Sequence, residues 1–207
     1  MNIRVSNIIS IIFHPILMGT YLFGIFTLVD PMIVLPPGYS IKAQWLMVLV
    51  VSLTTFIIPA LSILMLKLTG HIESLKLENR KDRFIPSMYI TLFYGFTAYY
   101  FNKQMMVTEL AAGVFILIAV MVFLTALINF FWKISVHGVA VGGMVGIFLV
   151  VTYLNIESNI IYLLIGSIII AGIVLSARLK LAAHTPRQAY LGFLMGFLIS
   201  LLAVFWA

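Results

Sequence analysis

Three short polar segments interrupt a chain that is otherwise almost entirely apolar, and they hold the side chains that could do chemistry. They supply cations, a hydroxyl group and two imidazoles, from Lys76, Arg83, Ser135, His137, Arg178 and His184. Charged and polar groups are costly to hold within a bilayer, so each of them is a candidate for function.

These residue types suit a phosphate group. A phosphomonoester or diphosphate carries negative charge on its non-bridging oxygens, and guanidinium and ammonium groups neutralise that charge as it builds in the transition state. Lys76, Arg83 and Arg178 can form such a clamp, and Ser135 can add a hydroxyl donor. The two histidines can divide the remaining work, one as nucleophile and one as general acid to the leaving oxygen.

Each group also has a structural interpretation. The segment Lys76–Arg83 is typical of a solvated loop that anchors the topology. Ser135 precedes an apolar run, as a helix N-cap does, and a histidine near a helix start, such as His137, is often a packed or capping residue. His14 lies beside Pro15 within an apolar stretch, where we expect it to make a structural contact at a kink.

The composition indicates the class of protein. Of 207 residues, 63% are hydrophobic and 9% are charged, whereas a soluble domain carries about 25% charged residues. The sequence therefore predicts an integral membrane protein. The absence of cysteine excludes disulfides, thiolate chemistry and cysteine-bound metals.

Seven apolar stretches approach the ~20 residues that a helix needs to cross a bilayer. They run at about Ile8–Val29, Gln44–Leu66, Ile85–Phe101, Leu110–Phe131, Val136–Leu154, Ile160–Ala177 and Gln188–Trp206. The third is the shortest, and the first is longer than the apolar part of a secretory signal. The stretches predict an all-α, polytopic membrane protein, a bundle of six or seven transmembrane helices in a single domain, residues 1–207.

The basic residues predict the orientation. With seven spans, ten of the twelve basic residues share one face: Arg4, Lys67, Lys76, Arg80, Lys81, Arg83, Lys133, Arg178, Lys180 and Arg187. By the positive-inside rule, that face is cytoplasmic. We expect a multi-pass protein of a bacterial inner (cell) membrane, with all three polar segments at its cytoplasmic face. Anionic lipid headgroups or a lipid phosphate are the expected partners, and nucleic acid is not.

The order and spacing of the polar residues resemble the type 2 phosphatidic acid phosphatase superfamily. Its first motif is Lys, six residues, then Arg-Pro, and here Lys76 and Arg83 keep that spacing, with Phe84 in place of the Pro. Its second motif is Pro-Ser-Gly-His, of which Ser135 and His137 remain.

The third motif of that superfamily is Ser-Arg, five residues, His, three residues, Asp. Arg178 and His184 keep their places, while Ala177 replaces the Ser and Gln188 replaces the Asp. The resemblance covers roughly residues 67–200.

The resemblance implies a metal-independent phosphatase or diphosphatase without a cofactor, acting on a lipid phosphate or polyprenyl diphosphate. It makes His184 the nucleophile that becomes phosphohistidine and His137 the general acid. Water then hydrolyses the intermediate. The implied phosphate-binding residues are Lys76, Arg83, Ser135 and Arg178.

Gln188 is the departure with the largest chemical consequence. If Pro186 opens the last helix, Gln188 lies about one turn beyond His184, and its amide oxygen is expected to orient that imidazole without bringing charge. Two alternatives stay open: a degenerate relative that binds lipid phosphate without turnover, and a small membrane transporter, although no internal repeat supports transport.

Other enzyme classes fit less well. His71, Glu73, Glu78 and Asp82 match no standard metal-site spacing. A membrane prenyltransferase would need paired Asp-rich motifs, and an intramembrane metalloprotease would need His-Glu-x-x-His; the sequence has neither.

Overall fold

A computed structural model of the chain describes residues 1–75, 81–154 and 160–206. Within these residues the chain is helical and contains no β-strand, so the all-α prediction is confirmed. The α-helices are α1 (Ile3–Ile12), α2 (Met18–Val29), α3 (Ile41–Ser52), α4 (Ile58–Leu68), α5 (Phe84–Lys103), α6 (Glu109–Phe131), α7 (Val136–Leu154), α8 (Ile160–Lys180) and α9 (Pro186–Ser200).

Six helical segments of the described chain are long and apolar enough to cross a bilayer. They are Ile3–Val29, Ile41–Leu68, Glu109–Phe131, Val136–Leu154, Ile160–Lys180 and Pro186–Trp206. Many of their large apolar side chains are exposed, as in helices that face lipid. The protein is a multi-pass integral membrane protein.

The helix α5 is not among these six segments, but it has the length to cross. It contains 20 residues, which span roughly 30 Å at the α-helical rise. Thr108, just after α5, donates from its backbone N–H to the carbonyl of Val34 (3.1 Å) and from its hydroxyl to that of Ile33 (2.7 Å). The end of α5 therefore lies beside the loop that follows α2, which supports a seventh crossing.

The first span is interrupted at Pro15. Proline has no N–H and fixes its own φ, so α1 ends at Ile12 and a short 3₁₀ turn, Pro15–Leu17, leads into α2. His14 caps that turn, since its Nδ1 accepts from the backbone N–H of Ile16 at 3.4 Å. The expected structural contact of His14 is confirmed, whereas the predicted start of the span at Ile8 was too late, because α1 begins at Ile3.

The second span widens before Pro59. This proline cannot donate to the carbonyl four residues earlier, and the segment Leu53–Ile57 is a π-helix. Thr55, inside that segment, is fully buried, and its hydroxyl donates to the carbonyl of Val51 at 2.8 Å. Hydropathy alone gives no sign of this change in helix type.

The chain divides into two compact units. The terminal unit comprises Met1–Met18 and Lys133–Ala207, and the central unit comprises Gly19–Trp132. The predicted phosphatase-like core, residues 67–200, draws on both units. That core and the single domain stay predictions.

Within the terminal unit, α7 and α9 approach closely through glycine. Glycines recur at every fourth position of α7, at Gly138, Gly142 and Gly146. A Cβ atom on Gly138 would lie 2.6 Å from the carbonyl oxygen of Ala189, and one on Gly146 would lie 2.8 Å from that of Phe197. Such small-residue faces let helix backbones pack together in membranes.

The partner face on α9 also carries glycine. A Cβ atom on Gly192 would lie 2.7 Å from the carbonyl oxygen of Ser135, and one on Gly196 would lie 2.8 Å from the backbone nitrogen of Gly143. Contacts advance along both helices in the same direction, so α7 and α9 run parallel. Their N-termini consequently lie side by side, which positions the residues of the candidate site.

Candidate active site

Ser135 stands at the start of α7 and is completely buried. Its Oγ accepts from the backbone N–H of Gly138 at 3.1 Å, so the expected N-cap role is confirmed. Its own backbone N–H donates to the carbonyl of Gln188 at 3.2 Å, which ties the start of α7 to the first turn of α9. The cap uses an oxygen lone pair, and the hydroxyl proton remains a donor.

His137, in the first turn of α7, is held by the end of α1. Its Nε2 lies 3.0 Å from the carbonyl oxygen of Ser10. That carbonyl is available because the helix breaks before Pro15, and the N–H of His14 donates to Ile11 instead, at 3.2 Å. A carbonyl can only accept, so Nε2 of His137 carries the proton, and Nδ1 is the unprotonated nitrogen of the neutral ring.

Arg178 lies in the last turn of α8, where the chain reverses. The backbone N–H groups of Ala182 and Ala183 donate to the carbonyls of Leu179 (3.0 Å) and Arg178 (3.2 Å), which is the Schellman arrangement. Ala182 has φ 50°, in the left-handed region that usually requires glycine. This tight reversal carries the chain directly from Arg178 to His184.

Arg178 and three histidines form an electrostatic cluster in the terminal unit. The charge of Arg178 acts on both His14 and His137, and His137 also interacts with His184. The rings of His14 and His137 meet nearly edge to face, with centroids 5.6 Å apart and planes at 80°. This arrangement of Arg178 and imidazoles is suited to an anion.

The charge of the terminal unit supports that conclusion. Its sequence holds five basic side chains, those of Arg4, Lys133, Arg178, Lys180 and Arg187. The described residues of this unit include no acidic side chain. Positive potential attracts anions to this unit.

His184 is buried just before α9, and Gln188 lies in the first turn of that helix. The Oε1 atom of Gln188 accepts from the backbone N–H of Thr185 at 3.1 Å, and Thr185 Oγ1 accepts from the N–H of Gln188 at 3.4 Å. These two bonds form a capping box. The prediction gave the amide oxygen to the His184 imidazole; the structure gives it to Thr185, so Gln188 shapes the start of α9.

Arg83 belongs to the central unit. It is half-buried just before α5, and its Nη1 donates to Oδ1 of Asn129 at 3.4 Å. Asn129, buried in α6, is oriented by its own Nδ2 donation to the carbonyl of Thr125 at 2.8 Å. Burial lowers the pKa of the Arg83 guanidinium from its ordinary value, but a guanidinium stays charged at neutral pH.

The predicted site residues therefore fall into three groups. The terminal unit holds Ser135, His137, Arg178, His184 and Gln188. Arg83 lies in the central unit, and Lys76 lies outside the described residues. In the described part of the chain, no group of three or more His, Cys, Asp or Glu side chains could hold a metal ion.

Sequence reasoning missed two contacts of the terminal unit, the Ser10 carbonyl and the His14 ring. Both depend on the helix break at Pro15, and the His-Pro pair inside an apolar stretch was the available signal. Asn129 was missed as well, although an amide inside a long apolar run is a recognisable sign of a buried polar contact.

Comparison with protein-family models, with curated proteins and with solved structures finds no match to this chain.

Proposed function

We propose that the protein is an integral membrane phosphatase that acts on a phosphomonoester or diphosphate carried by a lipid or prenyl tail. One observation carries the proposal: Ser135, His137, Arg178 and His184 belong to one compact unit, at the start of α7, the end of α8 and the start of α9. The parallel packing of α7 and α9 joins two of these helix ends directly.

The chemistry assigns a task to each group. Arg178 neutralises the non-bridging oxygens, and the Ser135 hydroxyl donates to one of them. A ring nitrogen of His184 attacks phosphorus, and the bond to the leaving oxygen breaks. With the anionic phosphate bound, His137 takes up a second proton and, as imidazolium, gives it from Nδ1 to that oxygen, while the Ser10 carbonyl retains the Nε2 proton.

The second step reverses these roles. Neutral His137 takes a proton from water at Nδ1, the resulting hydroxide attacks phosphorus, and the N–P bond breaks. Inorganic phosphate leaves, and both imidazoles return to their starting state. The roles proposed for Lys76 and Arg83 rest on motif spacing alone. The proposed location at the cytoplasmic face of a bacterial inner membrane rests on the bias of basic residues.

The test is phosphate release from a panel of lipid phosphates and prenyl diphosphates by purified protein in the presence of chelator. We expect wild-type turnover to persist and His184→Ala to lose at least about 10³-fold. His137→Ala should lose about 10²–10⁴-fold, as expected for an acid–base group. His71→Ala, a variant of an exposed histidine beyond α4, is the matched control and should keep full activity.

A covalent phosphohistidine provides the direct readout of the nucleophile. Brief reaction with labelled lipid phosphate should leave label on wild type and on His71→Ala, and none on His184→Ala. Full turnover in His184→Ala would show that His184 is not the nucleophile.

A second function, phosphate binding without turnover, is favoured by the capping box. In the described structure the Gln188 amide oxygen bonds to Thr185, and glutamine brings no carboxylate to stabilise a charged phosphohistidine. In that case a lipid phosphate should raise the unfolding temperature of wild type while no phosphate is released, because a ligand that binds only the native state stabilises it.

A further inference from the structure

His14 has a structural task that fixes the state of its ring. Its Nδ1 accepts from the backbone N–H of Ile16, so the proton of the neutral imidazole resides on Nε2. Pro15 follows directly and holds the chain at this break. The Nε2–H edge, which the cap does not use, is therefore a donor at a defined place.

The surroundings of His14 are those of the candidate anion site. Its ring lies against His137, with 5.6 Å between centroids, and the charge of Arg178 acts on it. The side chain is exposed at the helix break within the first span. His137 presents Nδ1 because Ser10 holds its Nε2–H.

We propose that His14 is a further phosphate-binding residue, whose Nε2–H donates to a non-bridging oxygen of the phosphate held by Arg178. The ligand class is a phosphate group, either lipid-linked or free. This inference deepens the proposed function, since it concerns the same site and rests on it. Hydrogen bonds from an imidazole N–H to an oxygen of a phosphate dianion are charge-assisted and strong.

Two substitutions separate phosphate binding from capping. In His14→Asn, the amide oxygen takes the place of Nδ1 and keeps the cap, but nothing takes the place of Nε2–H. In His14→Gln, the longer side chain can bring an amide N–H near the former Nε2 position, but glutamine is a poor N-cap. His14→Asn therefore keeps the cap and loses the phosphate donor, whereas His14→Gln keeps a donor and weakens the cap.

The experiment uses the full chain in detergent, with inorganic phosphate as one probe and a short-chain phosphatidate as the other. For each variant we measure the dissociation constant by calorimetry and the thermal midpoint without ligand. We expect His14→Asn to keep the wild-type midpoint and to weaken binding about tenfold, the loss that accompanies one charge-assisted hydrogen bond. His14→Gln should lower the midpoint and bind within about threefold of wild type.

Each other result has a defined meaning. Wild-type affinity in His14→Asn for both probes would show that His14 is a cap alone and overturn the inference. Equal loss of affinity in both variants, with lower midpoints, would also overturn it, because the effect would then follow from the fold.

The inference and the proposed function can fail separately. If binding depends on His14 but the protein releases no phosphate, the proposed hydrolysis is wrong and the inference stands. If the protein hydrolyses lipid phosphate and His14→Asn binds phosphate as wild type does, the proposed function stands and the inference is wrong. Wild type that binds neither probe overturns both, and binding of phosphatidate alone identifies the lipid-linked source.

Discussion

A single hydrogen bond decides which atom of His137 can do chemistry. The sequence identifies His137 as a candidate but does not reveal which of its two nitrogens carries the proton. That choice depends on the carbonyl of Ser10, which is 127 positions away in sequence and is available only because α1 stops before Pro15. The tautomer of a site residue is thus set by a helix end that no local motif describes.

The first prediction at this scale concerns Gln188. Gln188→Glu should keep the capping box and add a negative charge at a helix N-terminus, so its unfolding temperature should equal or exceed that of wild type. Gln188→Leu should lose about 1 kcal/mol. Thr185→Ala removes the other half of the box and is the matched control. Thermal unfolding of the three variants gives the comparison.

Turnover of the same variants tests the site. We expect Gln188→Glu to match or exceed the wild-type rate of phosphate release. An unchanged unfolding temperature in both Gln188→Leu and Thr185→Ala would mean that the capping box contributes no stability.

The sequence assigned the wrong partner to Gln188. Spacing predicts only that Gln188 lies about one turn beyond His184. That spacing is compatible with a bond to the His184 imidazole or to the backbone N–H of Thr185, and the N–H of an N-cap residue needs a partner. The local bond to Thr185 was the one that formed.

At the scale of helices, hydropathy predicted where the spans lie but not which helices pack against each other. The predicted stretch Val136–Leu154 has the same bounds as α7, and Ile85–Phe101 lies within α5. An apolar run reports only that a segment is buried or faces lipid. The break at Pro15 and the π-helix before Pro59 follow from single prolines, whose local effect hydropathy averages away.

The parallel contact of α7 and α9 gives a prediction at this scale. A Cβ atom on Gly142 would overlap the carbonyl oxygen of Phe193, whereas one on Gly172 in α8 would meet nothing within 4 Å. Gly142→Ala should therefore destabilise the protein by about 1–3 kcal/mol. Gly172→Ala should be neutral or stabilising by up to about 1 kcal/mol, because alanine is the better helix former.

The measurement is thermal unfolding, followed by phosphate affinity at a temperature where both variants are folded. Gly142→Ala should also weaken phosphate binding, since the contact aligns Ser135 with α9. Equal behaviour of the two alanine variants would contradict the glycine interface.

At the scale of the whole molecule, the distribution of basic residues predicts its orientation. The chain has no cysteine, so a single introduced cysteine can be labelled without background. We expect Glu73→Cys and Arg187→Cys to react with an impermeant maleimide only after the cells are opened. Gln104→Cys, just beyond α5, should react in intact cells, because we expect α5 to carry the chain to the other face.

This comparison also tests the seventh crossing. All three positions are exposed in the structure. Identical labelling of Glu73→Cys and Gln104→Cys would mean that α5 does not cross the bilayer. Labelling of Glu73→Cys and Arg187→Cys alone in intact cells would reverse the predicted orientation.

The parallel pairing of α7 with α9 also has a consequence for biosynthesis. The ribosome delivers α7, α8 and α9 in that order, so α7 enters the membrane before the helix that fits its glycine face exists. During that interval Ser135 has no Gln188 carbonyl to bond, and Arg178 reaches the membrane before His184. The contact that joins the start of α7 to the start of α9 is therefore gained in one late step of synthesis, and a nascent chain interrupted after α8 is an inserted membrane protein without that contact.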